Sequence, residues 1–375
     1  MYFIIYPEKD SVLYERFPSK NTGVDQILEL TKIAAGQPYI DGDETSYLDY
    51  AYNSRILIKF DLTELSSSIV SGKISGTQQY YLTLKATEAI ELPISYQIFA
   101  YPISQSWVNG TGFYNNDPEK TNGVSWIYRT SKLSNNIWTT SSFNLNSTGS
   151  WATNPGGGTW YTSSYSSQTF NYDNPDIRMD VTSIVQSWLS GSIPNEGLIL
   201  KFPDSLEQDT SILGSIQFFS KETHTIFLPR LECYWNSQNL SGINQVSEIS
   251  SDDFILYCKN LKETYNENEK PKIKLGVRER YPNRTYSTSS NYLQSYRLPT
   301  SSYFQIQDYV TDDAIIPFHN YGTLIDCDSN GNYLQIDCNS LMPERYYKLI
   351  IKSEFEGGNV VKYVDDGYIF KIVRN

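Results

Sequence analysis

Along most of the chain, hydrophobic and polar residues alternate with a period of two, the signature of strands with one buried face. In "RILIKFDLTEL", residues 55–65, Ile56, Ile58 and Phe60 alternate against Leu57 and Lys59, which predicts a core strand. "QQYYLTLKATEAI" and "LPISYQIFAYPI" repeat the pattern, with Leu82 and Leu84 on one face and Tyr96, Ile98 and Ala100 on another. Earlier, "DSVLYERFPSKNTGVDQILEL" reads as two strands about a turn at 21–23. Strands at this spacing predict a sandwich.

The period changes once. In "DVTSIVQSWLSGSIPNEGLILK", residues 180–201, Ile184, Val185, Trp188 and Leu189 fall on one helical face. Asp180 is the expected N-cap, Gly191 the left-handed terminator and Pro194 the stop. This predicts one short helix at about 181–189, followed by a half-buried strand carrying Leu198, Leu200 and Phe202. Between Ser104 and Asp176 the chain is rich in Ser, Thr, Asn, Gly and Trp, which predicts long loops with short strands inside them. "GSIQFFSKETHTIFLPRLECYW" closes the first domain, with Leu231, Cys233 and Trp235 on one side of its last strand.

Residues 237–253 offer almost nothing to bury and read as a linker between a domain at 1–236 and a second at 254–375. The second domain reads as strands in "KPKIKLGVRERYP", "SYFQIQDYV", "GNYLQIDC", "RYYKLIIKS" and "GYIFKIVRN". An Asn330-Gly331 turn is expected between two of its strands. A two-residue turn there sets Cys327 opposite Leu334, so a Cys327–Cys338 disulfide fails on register. All four cysteines, Cys233, Cys258, Cys327 and Cys338, read as reduced core residues, since they lack metal spacing.

A chain of 375 residues with this apolar content supports two domains. Its 30 basic and 42 acidic residues give a net charge of −12, which argues against nucleic acid as the partner. The acidity is concentrated in the first 250 residues, with 25 acidic against 15 basic. No run approaches the about 18 apolar residues of a membrane span. "MYFIIYPEKD" has neither a basic start nor a small-residue cleavage site, so a soluble protein made in a cytoplasm is expected.

Candidate chemistry is sparse. His224 and His319 lie in different domains without the neighbours a triad or a zinc site needs, so no enzyme, catalytic residue, cofactor or metal is expected. Asp41, Asp43, Glu44 and Asp49 group in "IDGDETSYLD", but without the spacing of a calcium loop they read as a solvated turn. "NPGGG", 154–158, precedes no helix and so is not a phosphate loop. Two patterns remain. Trp107, Trp126 and Trp160 lie in aromatic loops and either pack the loop end of the sandwich or form a platform for a glycan, with packing favoured. In "KPKIKLGVRER", Lys270, Lys272, Lys274, Arg278 and Arg280 share one strand face against Ile273, Leu275 and Val277. That basic stripe either protects a sheet edge or docks an acidic partner, such as the first domain of a neighbouring copy.

Five segments, "KDSVLYERFPSKNTG", "RILIKFDL", "SWVNGTG" with "NGVSW", "DVTSIVQSWLSGSIPNEGLIL" and "SKETHTIFLPRLECYW", stand in the order of the DNRLRE-type jelly-roll module, which they resemble. That module is a β-sandwich of secreted bacterial proteins and phage particles, related to carbohydrate-binding modules, and the resemblance covers residues 1 to about 236. It implies that the helix lids one end of the sandwich, with Trp188 closing the core. "LMPERYYKLII" resembles the tyrosine corner of fibronectin-type and immunoglobulin-like sandwiches, through Leu341, Pro343 and Tyr347. The fold expected is therefore all-β: a jelly-roll β-sandwich plus a smaller immunoglobulin-like one. The combination looks like a virion component of a tailed phage, and the low-Ala, Asn-, Ile-, Tyr- and Lys-rich style is similar to that of crAss-like phage proteins. It implies a non-enzymatic neck, collar or tail ring component, in contact with its own copies and with portal, neck or tail proteins. The alternative is a carbohydrate-binding adhesion module with a host glycan as partner.

Overall fold

The computed structural model describes residues 1–34, 51–90, 92–139, 156–170, 175–207, 211–282 and 294–374. The expected acidic turn at Asp41, Asp43, Glu44 and Asp49 lies outside them. Two units divide the chain: Ile4–Ser71 with Gln79–Glu232, and Met1–Phe3 with Gly72–Gln78 and Cys233–Asn375. Both are built of mainly antiparallel sheets, and the fold is all-β with short helices, as the alternation predicts.

The first unit contains β1 (Tyr2–Ile5), β2 (Pro7–Tyr14), β3 (Ile27–Ala34), β4 (Ala51–Phe60) and α1 (Thr63–Val70). These are followed by β5 (Gln78–Leu84), β6 (Ala86–Ile90), β7 (Tyr96–Pro102), β8 (Ser166–Phe170), β9 (Ile177–Asp180) and α2 (Thr182–Leu189). β10 (Leu198–Lys201), α3 (Asp204–Glu207), β11 (Gly214–Phe219) and β12 (Arg230–Trp235) complete it. The boundary between the units falls inside β1, β5 and β12. The large sheet runs β6-β11-β3-β4-β10-β7-β8, and β4 turns its corner: Ala51–Asn53 pair with β3, whereas Ser54–Phe60 pair with β2. At the corner, the Ser54 hydroxyl donates to the Glu29 carbonyl at 2.6 Å and accepts from the Thr31 amide at 2.8 Å, so a side chain bridges where the ladders part.

Registers set Ile56 beside Val12 and Leu200, and Ile58 beside Leu198, on the face that holds the sandwich core. The expected half-buried strand at 198–202 is corrected: Leu198, Ile199, Leu200 and Lys201 are all buried, because protein covers both faces of β10. The same holds for β12.

The helix at α2 is present and buries Ile184, Val185 and Trp188. Its start differs by one residue, since Val181 is the N-cap and Asp180 accepts from the Thr182 amide at 2.9 Å. A second helix, α1, follows directly on β4 where a continuing strand was expected. It begins the same way: Asp61 accepts from the Thr63 amide at 2.9 Å and the Thr63 hydroxyl at 2.6 Å. An Asp-aliphatic-Thr run thus leads into the first turn of each helix.

The second unit stacks a sheet β13-β15-β19-β18 and a sheet β14-β21-β20-β16-β17. Their spans are β13 (Phe254–Cys258), β14 (Thr264–Asn266), β15 (Lys272–Glu279), β16 (Ser302–Asp308), β17 (Ala314–Ile316), β18 (Asp326–Asp328), β19 (Gly331–Gln335), β20 (Arg345–Phe355) and β21 (Val360–Val373). The tyrosine corner is formed: Tyr347 is buried and its hydroxyl donates to the Met342 carbonyl at 2.9 Å. The expected 237–253 linker is corrected, because several of its groups pair with the second unit. Gln238 donates to the Ile325 carbonyl at 3.1 Å, the Asn239 amide to Asp326 at 2.6 Å and the Ile249 amide to the Arg297 carbonyl at 2.9 Å, while Ile249 itself is buried. The β18–β19 turn is also displaced: Asp328 pairs with Gly331, so Ser329-Asn330 form the loop and Cys327 faces Asn332. None of the four cysteines is in a disulfide; Cys233, Cys327 and Cys338 are buried as expected, whereas Cys258 is only partly buried.

Candidate functional site

On the face of the large sheet opposite its core, Leu13, Leu57 and Ile199 project into a second hydrophobic cluster. It is filled by Ile103, Trp107, Val124, Trp126, Trp138 and Trp160 from the long connection after β7. The three expected platform rings, Trp107, Trp126 and Trp160, are at most 2% exposed. A sugar stacks on an aromatic face open to solvent, and these rings have none, so the glycan platform at these positions is corrected to loop packing. Two indoles of the cluster use their polar edges internally: the Trp107 N–H donates to the Glu196 carbonyl at 2.9 Å, and the Trp138 N–H to the Ser125 carbonyl at 3.0 Å.

One side chain ties this layer down. Asn21, fully buried, donates to the carbonyls of Asn109 at 2.7 Å and Val124 at 2.8 Å, and accepts from the Gly112 amide at 2.8 Å. Gly110 and Gly123 come so close that a Cβ on either would meet Asn21 or the opposing backbone within 3 Å. The segments "SKNTG", "SWVNGTG" and "NGVSW" therefore meet at one point, which gives their residues a physical reason.

Beside the tryptophans lies a buried ionic group. Glu207 accepts from Arg55 at 3.1 and 2.8 Å and from Lys201 at 2.8 Å, and all three side chains are no more than 1% exposed. Arg55 also donates to the Gly157 carbonyl at 2.5 Å and lies 4.7 Å from the Trp126 ring centre and 5.2 Å from that of Trp160. A Cβ on Gly157, whose φ is +81°, would sit 2.4 Å from Arg55. The space a side chain at Gly157 would take is thus filled by the Arg55 guanidinium.

The basic strand is not at an edge: β15 lies between β13 and β19, so edge protection does not explain its charges. Lys270 precedes the strand and Arg280 follows it. Lys270 meets Asp337 at 2.6 Å, Lys272 meets Asp328 at 2.8 Å and Arg280 meets Asp253 at 2.8 Å. The hydrogen bond from Lys272 holds the Asp328 carboxyl below its usual range, with Lys272 itself 3.5 Å from the Tyr333 ring centre. Lys274 is exposed, and Arg278 donates to the Glu279 carbonyl at 3.1 Å. Between these two, the Tyr257 ring covers Gly276, where a Cβ would come within 2.2 Å of it. The stripe is therefore broken by an aromatic and partly neutralised by carboxylates of its own unit.

The other sheet of the second unit carries a face that strand alternation alone did not single out. Cross-strand register places Tyr303, Lys352 and Tyr363 in one row, with Glu354 beside Val361 and Tyr346 beside Lys371. Tyr346 is 51% exposed, Tyr363 60% and Val361 42%. Alternate positions on β20, such as Tyr347, Leu349 and Ile351, are buried. The clue in the sequence is the residue type on the solvent side of "RYYKLIIKS" and "VVKYVDD", tyrosine and valine where a solvated face carries charge.

His319 stacks on Tyr234 at 4.0 Å and its Nδ1 accepts from the amides of Tyr321 and Gly322 at 3.2 Å, a structural arrangement. His224 is exposed. Among the described residues no group of three or more His, Cys, Asp or Glu is placed to hold a metal, and no helix is long and apolar enough to cross a membrane. No family model matches the chain, and no curated protein matches it.

Proposed function

We propose that this chain is a non-enzymatic structural protein of a tailed-phage particle, a component of a neck, collar or tail ring held by protein–protein contacts. The observation that carries the assembly reading is the pair of exposed side chains Val361 and Tyr363 at successive outward positions of β21, with exposed Tyr346 further along β20 past a register shift, on a sheet whose opposite side is core. Tyrosine is enriched at protein interfaces, and apolar side chains clustered on one rigid face mark interaction surfaces. The lysines interleaved with them, Lys352 and Lys371, are paired with Glu354 at 2.6 Å and Glu344 at 2.5 Å, so the face offers a partner aromatic and apolar groups set among internally neutralised charges. Contacts of one copy's face with a different face of the next close into rings. The placement in a particle rests on the five ordered segments of the first unit. Exposed Lys274 and half-buried Arg278 belong to the same proposal as a secondary contact.

The test is peptide mass spectrometry on density-purified particles from a lysate of the source, with copy number measured against the major shell protein. A fixed, ring-like copy number is the expected result, and absence from particles overturns the reading. Tyr363→Glu with Val361→Glu should abolish incorporation while leaving the chain folded.

A further inference from the structure

Where β4 turns the corner of the large sheet, three buried polar side chains stand in one row. The Glu15 amide donates to the Asn53 carbonyl at 3.0 Å, which sets Glu15 beside Asn53, and cross-strand register sets Lys32 opposite Asn53 on its other side. Directly opposed residues point to the same face, so the order across the sheet is carboxylate, carboxamide, amine. Lys32 is fully buried, Glu15 is 1% exposed and Asn53 8%.

Asn53 is held by one end. Its Nδ2 donates to Glu15 Oε2 at 3.1 Å and to the Glu207 carbonyl at 3.3 Å, and its backbone amide donates to the same Glu15 oxygen at 3.0 Å. Its Oδ1 is buried without a hydrogen-bond partner. A buried acceptor left in this way costs stability and calls for a reason. The Lys32 Nζ donates to the Leu206 carbonyl, so adjacent carbonyls at the end of α3 receive the tips of the lysine and the asparagine. Cβ atoms of directly opposed residues lie about 4.5–5.5 Å apart, a gap that a lysine side chain spans, so Nζ can fold onto the Asn53 Cγ.

We propose that Lys32 and Asn53 join in an intramolecular isopeptide bond, with Glu15 carrying protons between them. The Lys32 ammonium gives a proton to the Glu15 carboxylate, and the neutral Nζ adds to the Asn53 Cγ. As the Cγ–Nδ2 bond breaks, Glu15 returns the proton to Nδ2, the atom it already touches, and ammonia leaves. A further proton of the attacking amine goes with the ammonia, so an ammonium and a carboxamide become a secondary amide and an ammonium ion. Nothing is oxidised or reduced, and no co-reactant enters. The product replaces a buried cation by a neutral amide, which favours it in a site closed to water. This modification is independent of the particle assembly proposed above.

The experiment is mass spectrometry of the purified full chain, intact under denaturing conditions and then as peptides. The intact chain should be lighter than its sequence by one ammonia, and trypsin should release residues 21–55 as one peptide, uncut after Lys32. Chymotrypsin cuts within 33–52, and the fragments that carry Lys32 and Asn53 should stay joined. Glu15→Gln keeps an acceptor for both Asn53 donors and carries no proton, so this variant should fold with the parent's tryptophan fluorescence and retain the full sequence mass. Three results overturn the proposal: a parent chain of full sequence mass, an ammonia lost while trypsin still cuts after Lys32, as a succinimide at Asn53 would allow, or a Glu15→Gln chain cross-linked like the parent.

Discussion

Removing Glu207 tests the ionic group beneath the tryptophan layer. Glu207→Ala leaves Arg55 and Lys201 buried without the carboxylate that meets both. Arg55 would keep the Gly157 carbonyl and two indole faces, and Lys201 would keep Asp204. Taking one partner from a buried pair costs about 3–5 kcal/mol, because the remaining charge has lost its water without compensation. For a domain of this size each kcal/mol lowers Tm by about 2–4 °C, so the expected drop is roughly 6–20 °C. Tryptophan fluorescence is the assay, since Trp107, Trp126, Trp138 and Trp160 all lie in the affected cluster. The triple variant Arg55→Met, Lys201→Met, Glu207→Leu separates charge from packing: replacing a buried ionic group by apolar residues is about neutral, so it should recover most of the loss. A loss below about 1 kcal/mol for Glu207→Ala, or a triple variant as unstable as the single, refutes the reasoning.

Other expectations follow from single contacts. Asn21→Ala takes the partner from two carbonyls and from the Gly112 and, more weakly, Gly23 amides, at about 1–3 kcal/mol for each buried group, so the first unit should lose at least about 3 kcal/mol in urea denaturation. Tyr347→Phe removes one buried hydrogen bond to the Met342 carbonyl and should cost about 1–2 kcal/mol by the same assay. Burial pushes the Asp10 carboxyl up to about 7, against the opposing Lys221 amide, which donates to it at 2.6 Å. A carboxyl raised in the folded state takes up its proton on folding, so its contribution is complete below the unfolded value and is lost as pH rises through about 7. Asp10→Asn should therefore raise Tm over the parent at pH 8 and give no such gain at pH 4, as read by thermal melts at the two pH values.

The strands, the α2 helix and the tyrosine corner were legible because each rests on local pattern: alternation, helical spacing, or a fixed offset such as Leu341 to Tyr347. The α1 helix was not, since "TELSSSIV" buries only Leu65 and its serines carry weak helical preference. Its one signal is the Asp61-Leu62-Thr63 run, whose pattern the better-marked α2 repeats. The polar segment 237–253 looked unanchored because backbone pairing leaves no hydrophobic trace in sequence. The burial of Trp107, Trp126 and Trp160 followed the packing alternative, yet nothing local says which face they cover. Hidden too was the row of Glu15, Asn53 and Lys32, which come from three separated segments.

The layer over β10 changes what a minimal version of this domain can be. A sandwich trimmed of residues 103–160 would bring Leu57, Ile199, Arg55 and Lys201 to the surface together: two greasy side chains, and two cations parted from the Gly157 carbonyl and the tryptophan rings around them. The described part of that excursion is thus a second wall and not an ornament, and its tryptophans cannot be removed without recoding the strands beneath them. The converse is a rule for other chains: a short strand apolar on both faces and ending in a lysine, as "LILK" does, announces that a distant loop has come back to roof it.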